Sequence, residues 1–480
     1  MHRIPSQKPG DTVLRRRRLS TRLRRVLGTS ELFAAGYGNV GSSIYYALGV
    51  VALVAVGATP IALFVAGLFF ICTALTYAEG AAMFPEAGGS ASFARHGFND
   101  LISFIAGWAL MLSYIVTIAI SAYTMSPYLG YFWDPLKDSP VVCTLFAMGI
   151  VVFLLIINIF GAKESGILNV AAAIISLLTQ LSLIILGFAL IFSLPVLIDN
   201  MFGNGNWPGV ANLIFGIALA SIAYTGVETI SQLSEETRLP QGRVPQALIY
   251  MMIVVVVVFS CIPIIALSAM SPQVLIANWA RDPVAGIASS LPFPWLRNLF
   301  EPMVGILAAA ILLIATNAGL MGISRLSFSM GKHDQLPSIL TRIHSRFRTP
   351  YVSLILFTVT AAVILIPGMF TPEFFLDLGA LYTFGSLLAF LLAHAAILSL
   401  RYKRPGDPRP FRIKGNIRIV GRDFPVTTIL GLLATIGVWT VVLVQQPYAR
   451  NVGFAWMAIG LVGYALYRRR ETLSVLKRRR

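Results

Sequence analysis

The sequence predicts an all-α, polytopic membrane protein of about twelve transmembrane helices, and three observations carry that prediction. Hydrophobic residues make up 57% of the 480 positions and charged residues 12%, against roughly 45–50% and 25% in soluble domains. So few charges cannot cover a water-facing surface of this size. Apolar runs recur at 31–54, 58–84, 101–130, 140–160, 167–194, 210–234, 245–270, 300–328, 350–368, 376–400, 425–445 and 452–468, near or above the roughly 20 residues that cross a hydrocarbon core. Finally, the basic residues fall into alternate connectors. With the N-terminus inside, 33 of the 37 Lys and Arg are cytoplasmic, and Lys137, Arg281, Arg297 and Arg450 are outside, the positive-inside pattern.

The same observations exclude other classes. A net charge of +17 invites a nucleic-acid reading, but the cations sit in tails and short loops between apolar runs, so no nucleic-acid partner is expected. Cys72, Cys143 and Cys261 lie singly inside apolar runs and read as small core residues, with neither disulfide nor zinc. The chain shows no nucleophile triad, HExxH or Walker loop, and no connector could hold a catalytic domain, so an enzyme or receptor is a distant alternative. No cofactor is implied. The apolar run after the basic first thirty residues is too long for a signal-peptide core. The expected organisation is a cytoplasmic tail over 1–30, helices 1–10 over 31–400, helices 11 and 12 over 401–468, and a second basic tail over 469–480. Both termini face the cytoplasm of a cell-membrane protein.

What interrupts the apolar runs is more telling than the runs. The first contains Gly38-Asn39-Val40-Gly41-Ser42-Ser43 near its middle, and the sixth contains Ser221-Ile222-Ala223-Tyr224-Thr225-Gly226-Val227-Glu228. A backbone that loses helical bonds in lipid must satisfy those groups on protein, water or substrate. Two such breaks five helices apart are the mark of a five-plus-five inverted-repeat transporter. A half-helix starting near Ser42 would aim free N–H groups at an anionic group. Unwound carbonyls near Ala220 to Tyr224 would accept from an ammonium group. The plainer alternative is close helix packing through small residues.

At this point the residues resemble a known family. GNVGSSIYY (38–46) is similar to the glycine-serine loop of amino acid permeases of the amino acid–polyamine–organocation superfamily. YAEGAAMFPEAGGSASFARHGF (77–98) resembles that family's helix 2 end and following loop, and GAKESGILN (161–169) its entry to helix 5. YTGVETISQLSEETRLPQGRVPQAL (224–248), ATNAGLMGISRLSFSMGKHDQLP (315–337) and LRYKRPGDPRPFRI (400–413) resemble its helix 6, helix 8 and post-helix 10 segments. The six stand in the family's order. The resemblance implies the leucine-transporter-type fold, with helices 1 and 6 broken, helices 11 and 12 outside the repeats, and one midplane site reached by alternating access. It implies a substrate carboxylate on the N–H groups of Gly41, Ser42, Ser43 and Ile44, and an ammonium group on carbonyls around Ala220, Ser221 and Ala223. The chain departs from the pattern at Ser43, where many members have glycine, and at Ile222, where some have an aromatic gate. Helix 5 has no lysine; Ser176 stands about where some proton-coupled members carry one.

Single residues extend the candidate set. Glu228 is a carboxylate inside an apolar run beside a break, either an ion path or an anchor for the broken helix. Ser113, Tyr114 and Thr117 on helix 3 and Tyr382 on helix 10 could line the cavity, with aromatic packing the alternative for Tyr114 and Tyr382, and Tyr224 joins the substrate-site candidates of the unwound helix 6 stretch. Thr316 and Asn317 on helix 8 stand where sodium-coupled relatives hold a cation, or serve as packing polar groups. Glu79 reads as an exposed or loop-pinning carboxylate, and Glu301 and Asp377 as helix-start dipole partners. Glu86, Arg95 and His96 read as solvated loop charges or a gating ion pair, and His394 as a hydrogen-bonded core histidine. The expected function is secondary active transport of an amino acid or related amine, by proton symport or with sodium. The alternative is a polyamine or potassium-type cation importer. A bare cation site would gather carboxylates on helices 1 and 3, where this chain has Asn39 and Ser113.

Overall fold

In the computed structural model, which describes residues 25, 27–160, 165–347, 349–371, 373–419 and 421–471, helices dominate, because a backbone in hydrocarbon must satisfy its own N–H and C=O groups. Thr29–Val40 (α1) and Ile44–Ala55 (α2) form the first pass, interrupted at 41–43. A 3-10 turn at Val56–Ala58 reverses the chain into Thr59–Met83 (α3). Ser90–Gly97 (α4) fills the next connector, followed by Asp100–Leu129 (α5), Pro140–Phe160 (α6) and Ser165–Leu190 (α7). After the short Leu194–Phe202 (α8), the sixth pass is again in pieces, Val210–Ala220 (α9) and Val227–Gln232 (α10). Pro240–Ala269 (α11) leads to two connector helices, Pro272–Trp279 (α12) and Pro283–Ser289 (α13). Pro294–Lys332 (α14), Tyr351–Leu365 (α15) and Phe374–Lys403 (α16) complete ten passes. A two-stranded antiparallel hairpin, Asn416–Ile419 (β1) and Arg422–Pro425 (β2), precedes Val426–Gln445 (α17) and Pro447–Arg470 (α18).

Ten helical runs among the described residues are long and apolar enough to cross a membrane. One of them, Thr29–Met83, is 55 residues long and turns at Val56–Ala58, so it makes two passes. That makes eleven passes; α18, which occupies the twelfth apolar run of the sequence, is not among the ten. Several helices begin earlier than those runs. Proline sits in the first turn of α11, α14 and α18, where its missing N–H costs nothing. Glu301 is corrected by this shift: α14 starts at Pro294, so Glu301 lies two turns in and is no helix-start partner. Asp377 does lie in the first turn of α16.

The two broken passes lie side by side with halves exchanged: α2 packs on α9, and α1 on α10. Leu27 donates to the Glu236 carbonyl at 3.0 Å and accepts from Arg238 N at 2.9 Å, so residue 27 shares a face with the end of pass six. Arg468 pairs with Asp100 at 3.2 Å, bringing the end of α18 to that face, here called the terminal face. Higher up, α18 is clamped to α5 by a reciprocal pair. Trp108 Nε1 donates to the Trp456 carbonyl at 2.8 Å, Trp456 Nε1 donates to the Trp108 carbonyl at 3.0 Å, and the rings stack at 4.5 Å.

Two other loop-side expectations change. Glu79 is fully buried, and the exposed alternative fails. It receives Arg401 Nε at 2.7 Å, Arg401 Nη2 at 2.5 Å and the Ile413 amide at 3.0 Å, with Arg409 Nε at 3.3 Å. It therefore pins the 404–413 loop. Arg95 is 7% exposed and ion-paired to Glu86, which removes the solvated-charge reading for it. His394 is a core histidine as expected, bonded to Thr73 Oγ1 at 3.2 Å and Thr76 Oγ1 at 2.9 Å.

Candidate functional site

The first break arises where glycine and serine replace apolar residues. The Gly41 amide donates to the Tyr37 carbonyl and the Ser43 amide to the Val40 carbonyl. Among the described residues no backbone acceptor takes the Ser42 or Ile44 amide, as for the first amides of any helix, which have no intrahelical partner. Ser42 Oγ folds back onto the Asn39 carbonyl at 2.7 Å, and Ser43 Oγ meets the Tyr46 hydroxyl at 2.9 Å. Everything here is buried: Ser42, Ser43 and Ile44 are at most 1% exposed.

The second break runs through a 3-10 turn at Ser221–Tyr224, an extended Thr225 and a left-handed Gly226 at φ +112°. A Cβ on Gly226 would fall 2.9 Å from Asn39 Nδ2 and 2.9 Å from Val40 Cγ2. Backbone shape and the closeness of α1 therefore both demand glycine. Asn39 Nδ2 donates to Thr229 Oγ1 at 2.8 Å and ties the breaks together. Pass ten closes a third side. Thr225 Oγ1 donates to the Tyr382 hydroxyl at 2.6 Å, and a Cβ on Gly379 would touch Val50 and Ile222.

Glu228 follows the second break in the first turn of α10, 1% exposed, accepting from the Gly226 amide at 3.2 Å. The phenols of Tyr77, Tyr114 and Tyr382 are its titratable neighbours. Among the described residues no ion pair reaches its carboxylate. The other candidates separate. Ser113 and Tyr114 are buried on α5, and Tyr114 packs on Gly322 of α14. Tyr224 turns away from α1 and donates to the Leu63 carbonyl at 2.7 Å. With Ser221 it lines a small, partly open and mostly apolar cleft between α3, α9, α16 and α17. Thr316 donates to the Leu312 carbonyl of its own helix, and Asn317 accepts from Asn158 Nδ2 at 2.6 Å, facing α6.

One residue of the site escaped sequence reasoning. Gln180 on α7, fully buried, donates to the Gly41 carbonyl at 3.0 Å and accepts from the Tyr37 hydroxyl at 2.6 Å. Ser176, one turn earlier, is 3.4 Å from Gln180 Nε2. A glutamine inside an apolar run is itself a signal, because buried amides demand partners.

Polar contacts tie the helices together on both faces of the bundle. On the terminal face, Glu86 holds Arg95 and Ser92 Oγ, with His96 Nε2 at 3.3 Å. Burial alone would raise the Glu86 carboxyl; His96, Arg95 and Ser92 outweigh it and hold it at about 2. The Ala87 amide donates to Glu235 Oε1 at 3.1 Å, and Arg325 pairs with Glu236 at 3.0 Å. On the opposite face, Lys137 pairs with Asp282 at 2.7 Å and sits 4.0 Å from the Trp279 ring centroid. The turn at Ala280 presses on Gly49 of α2, where a Cβ would meet the Ala280 carbonyl.

Two broken helices meet in the buried centre of the bundle, and comparison with known proteins identifies the family. Residues 27–466 match the family described as Amino acid permease. The chain belongs to the amino acid permease family. The permease is similar to a branched-chain amino acid permease of Bacillus subtilis, 27% identical with 94% of each chain covered. A methylthioribose transporter of the same organism is 26% identical with 95% of each chain covered. Cationic amino acid transporter 4 of Mus musculus is 27% identical over 81% of this permease and 62% of the mouse chain. The permease is thus a multi-pass membrane transporter rather than an enzyme.

Proposed function

We propose that the permease is a proton-coupled symporter that moves a neutral amino acid by alternating access. The observation that carries this reading is the meeting of both breaks beside one buried carboxylate, Glu228, whose partners are backbone amides. The Ser42 and Ile44 amides would hold the substrate carboxylate, with the Gly41 and Ser43 backbone shaping the turn. The Ala220, Ser221 and Ala223 carbonyls on the 3-10 turn would take the ammonium group. Ile222 and Val50 make the adjoining wall apolar, and among the described residues no second carboxylate acts on Glu228. The branched-chain relative supports a neutral substrate.

Proton coupling is favoured over sodium by what the helix 8 candidates do. Asn317 is engaged by Asn158. The Gly41 carbonyl, an acceptor in the broken first helix, is occupied by Gln180. Glu228 is free to be ionised in one access state and protonated in the other, the differential stabilisation that coupling requires. The charge asymmetry of the loops supports a cell-membrane protein with both termini on the cytoplasmic side.

The test is uptake into proteoliposomes from a panel of labelled amino acids, putrescine and rubidium. An acid-outside pH gradient should drive accumulation of a neutral amino acid without sodium. Accumulation of putrescine or rubidium alone would overturn the substrate assignment. A strict requirement for sodium would overturn the coupling assignment.

A further inference from the structure

The segment 404–425, between α16 and α17, is not used by the transport site. It holds six basic residues, Arg404, Arg409, Arg412, Lys414, Arg418 and Arg422, against two acidic ones, Asp407 and Asp423. Its hairpin register pairs Ile417 with Phe424 and Ile419 with Arg422. Opposed residues in an antiparallel pair share a face and neighbours alternate. Ile417, Ile419, Arg422 and Phe424 therefore stand on one face, and Asn416, Arg418 and Asp423 on the other.

The orientation of that first face is fixed by a contact. The Arg422 guanidinium lies 4.4 Å over the ring of Tyr402, in the last turn of α16. The isoleucine face is thus turned toward the end of a membrane-crossing helix. Among the described residues it is left partly open: Ile417 is 43% exposed, Ile419 44% and Tyr402 55%. Lys403 ends one crossing helix and Val426 begins the next, so the hairpin is held at the bilayer surface from both sides. Apolar side chains facing the bilayer, rimmed by cations, are the composition of an interfacial lipid-binding element.

We propose that the 404–425 hairpin docks on anionic phospholipid, its Ile417–Ile419 face entering the headgroup region while Arg422 and Lys414 hold lipid phosphate oxygens. On the other face Arg418 and Arg412 share Asp423, at 3.9 and 2.7 Å, which holds the rim in shape. The buried Glu79 cluster anchors the hairpin's other end to α3 through the Ile413 amide.

Full-length protein tests this without any transport assay. Cys72 and Cys143 are buried, so Cys261→Ser leaves a background in which single cysteines at 416, 417, 418 or 419 take an environment-sensitive dye. The protein is reconstituted in phosphatidylcholine bilayers, with or without phosphatidylglycerol, carrying bromine at shallow depth on the acyl chains. Dyes at 417 and 419 should be quenched and those at 416 and 418 spared, with stronger quenching when phosphatidylglycerol is present. Lys414→Glu should weaken the phosphatidylglycerol-dependent part about fivefold. Equal quenching on both faces, or none, would overturn the docking. Quenching indifferent to phosphatidylglycerol and to Lys414→Glu would overturn anionic recognition. Neither outcome touches the transport assignment.

Discussion

Gln180 Nε2 donates to the Gly41 carbonyl at 3.0 Å, while its Oε1 accepts from the Tyr37 hydroxyl at 2.6 Å. One side chain of α7 thus holds the broken first pass on both sides of its last helical turn. Replacing it by alanine would leave a buried carbonyl and a buried hydroxyl without partners, at about 1–3 kcal/mol each. Gln180→Ala is expected to weaken substrate binding about tenfold or more while the detergent-solubilised protein stays monodisperse. Binding titrations check this; unchanged affinity would make Gln180 a bystander.

Gly226 is expected to tolerate no side chain. Its φ of +112° and the approach of Asn39 and Val40 combine strain of about 1–3 kcal/mol with a clash that must move α1. Gly226→Ala should lower the melting temperature and abolish substrate binding. Gly209→Ala is the control, since a Cβ there meets nothing within 4 Å. Equal melting temperatures for the two variants would refute the packing described at the break.

The Glu79 cluster gives a stability prediction. Glu79→Ala strands Arg401, itself 3% exposed, and breaking a buried pair from one side costs about 3–5 kcal/mol. A large fall in melting temperature and loosening of the 404–413 loop to protease are expected. A variant as stable as the parent would show that the cluster does not hold the loop.

The terminal-face ion pairing carries a pH signature. The Glu86 carboxyl is depressed to about 2 from a model-peptide value of 4.5. A depressed acid contributes stability that is present above its unfolded value and lost as pH falls through the folded one. The stability difference between parent and Glu86→Gln, followed by thermal melts, should be constant above about pH 5 and vanish toward about pH 2. A difference that instead grew on acidification would contradict the Arg95 and His96 pairing.

Much of this was legible in the sequence for physical reasons. Apolar runs and basic loops report the membrane directly, and glycine with serine inside a run reports a break, because lipid offers no other partner for the backbone. Helix ends were less legible: α14 continues past the apolar limit to Pro294, since helical hydrogen bonds do not need apolar side chains. Partner choice was least legible. Nothing local to Glu79 says that Arg401, more than three hundred positions away, will bury it. Asn317 likewise faces Asn158, which spacing within one helix cannot foresee. Residues 161–164 of the GAKESGILN segment and most of both basic tails lie outside the described residues.

The central claim is that Glu228 couples a proton to substrate movement. Its most direct test compares two assays on one variant, Glu228→Gln, in liposomes. The amide cannot exchange a proton but keeps nearly the same shape beside the Gly226 amide. The account predicts that substrate exchange between two equal pools persists, while accumulation driven by an acid-outside gradient at fixed sodium is lost. Accumulation by Glu228→Gln that still follows the pH gradient as in the parent would contradict it, and would return Glu228 to the role of a helix anchor.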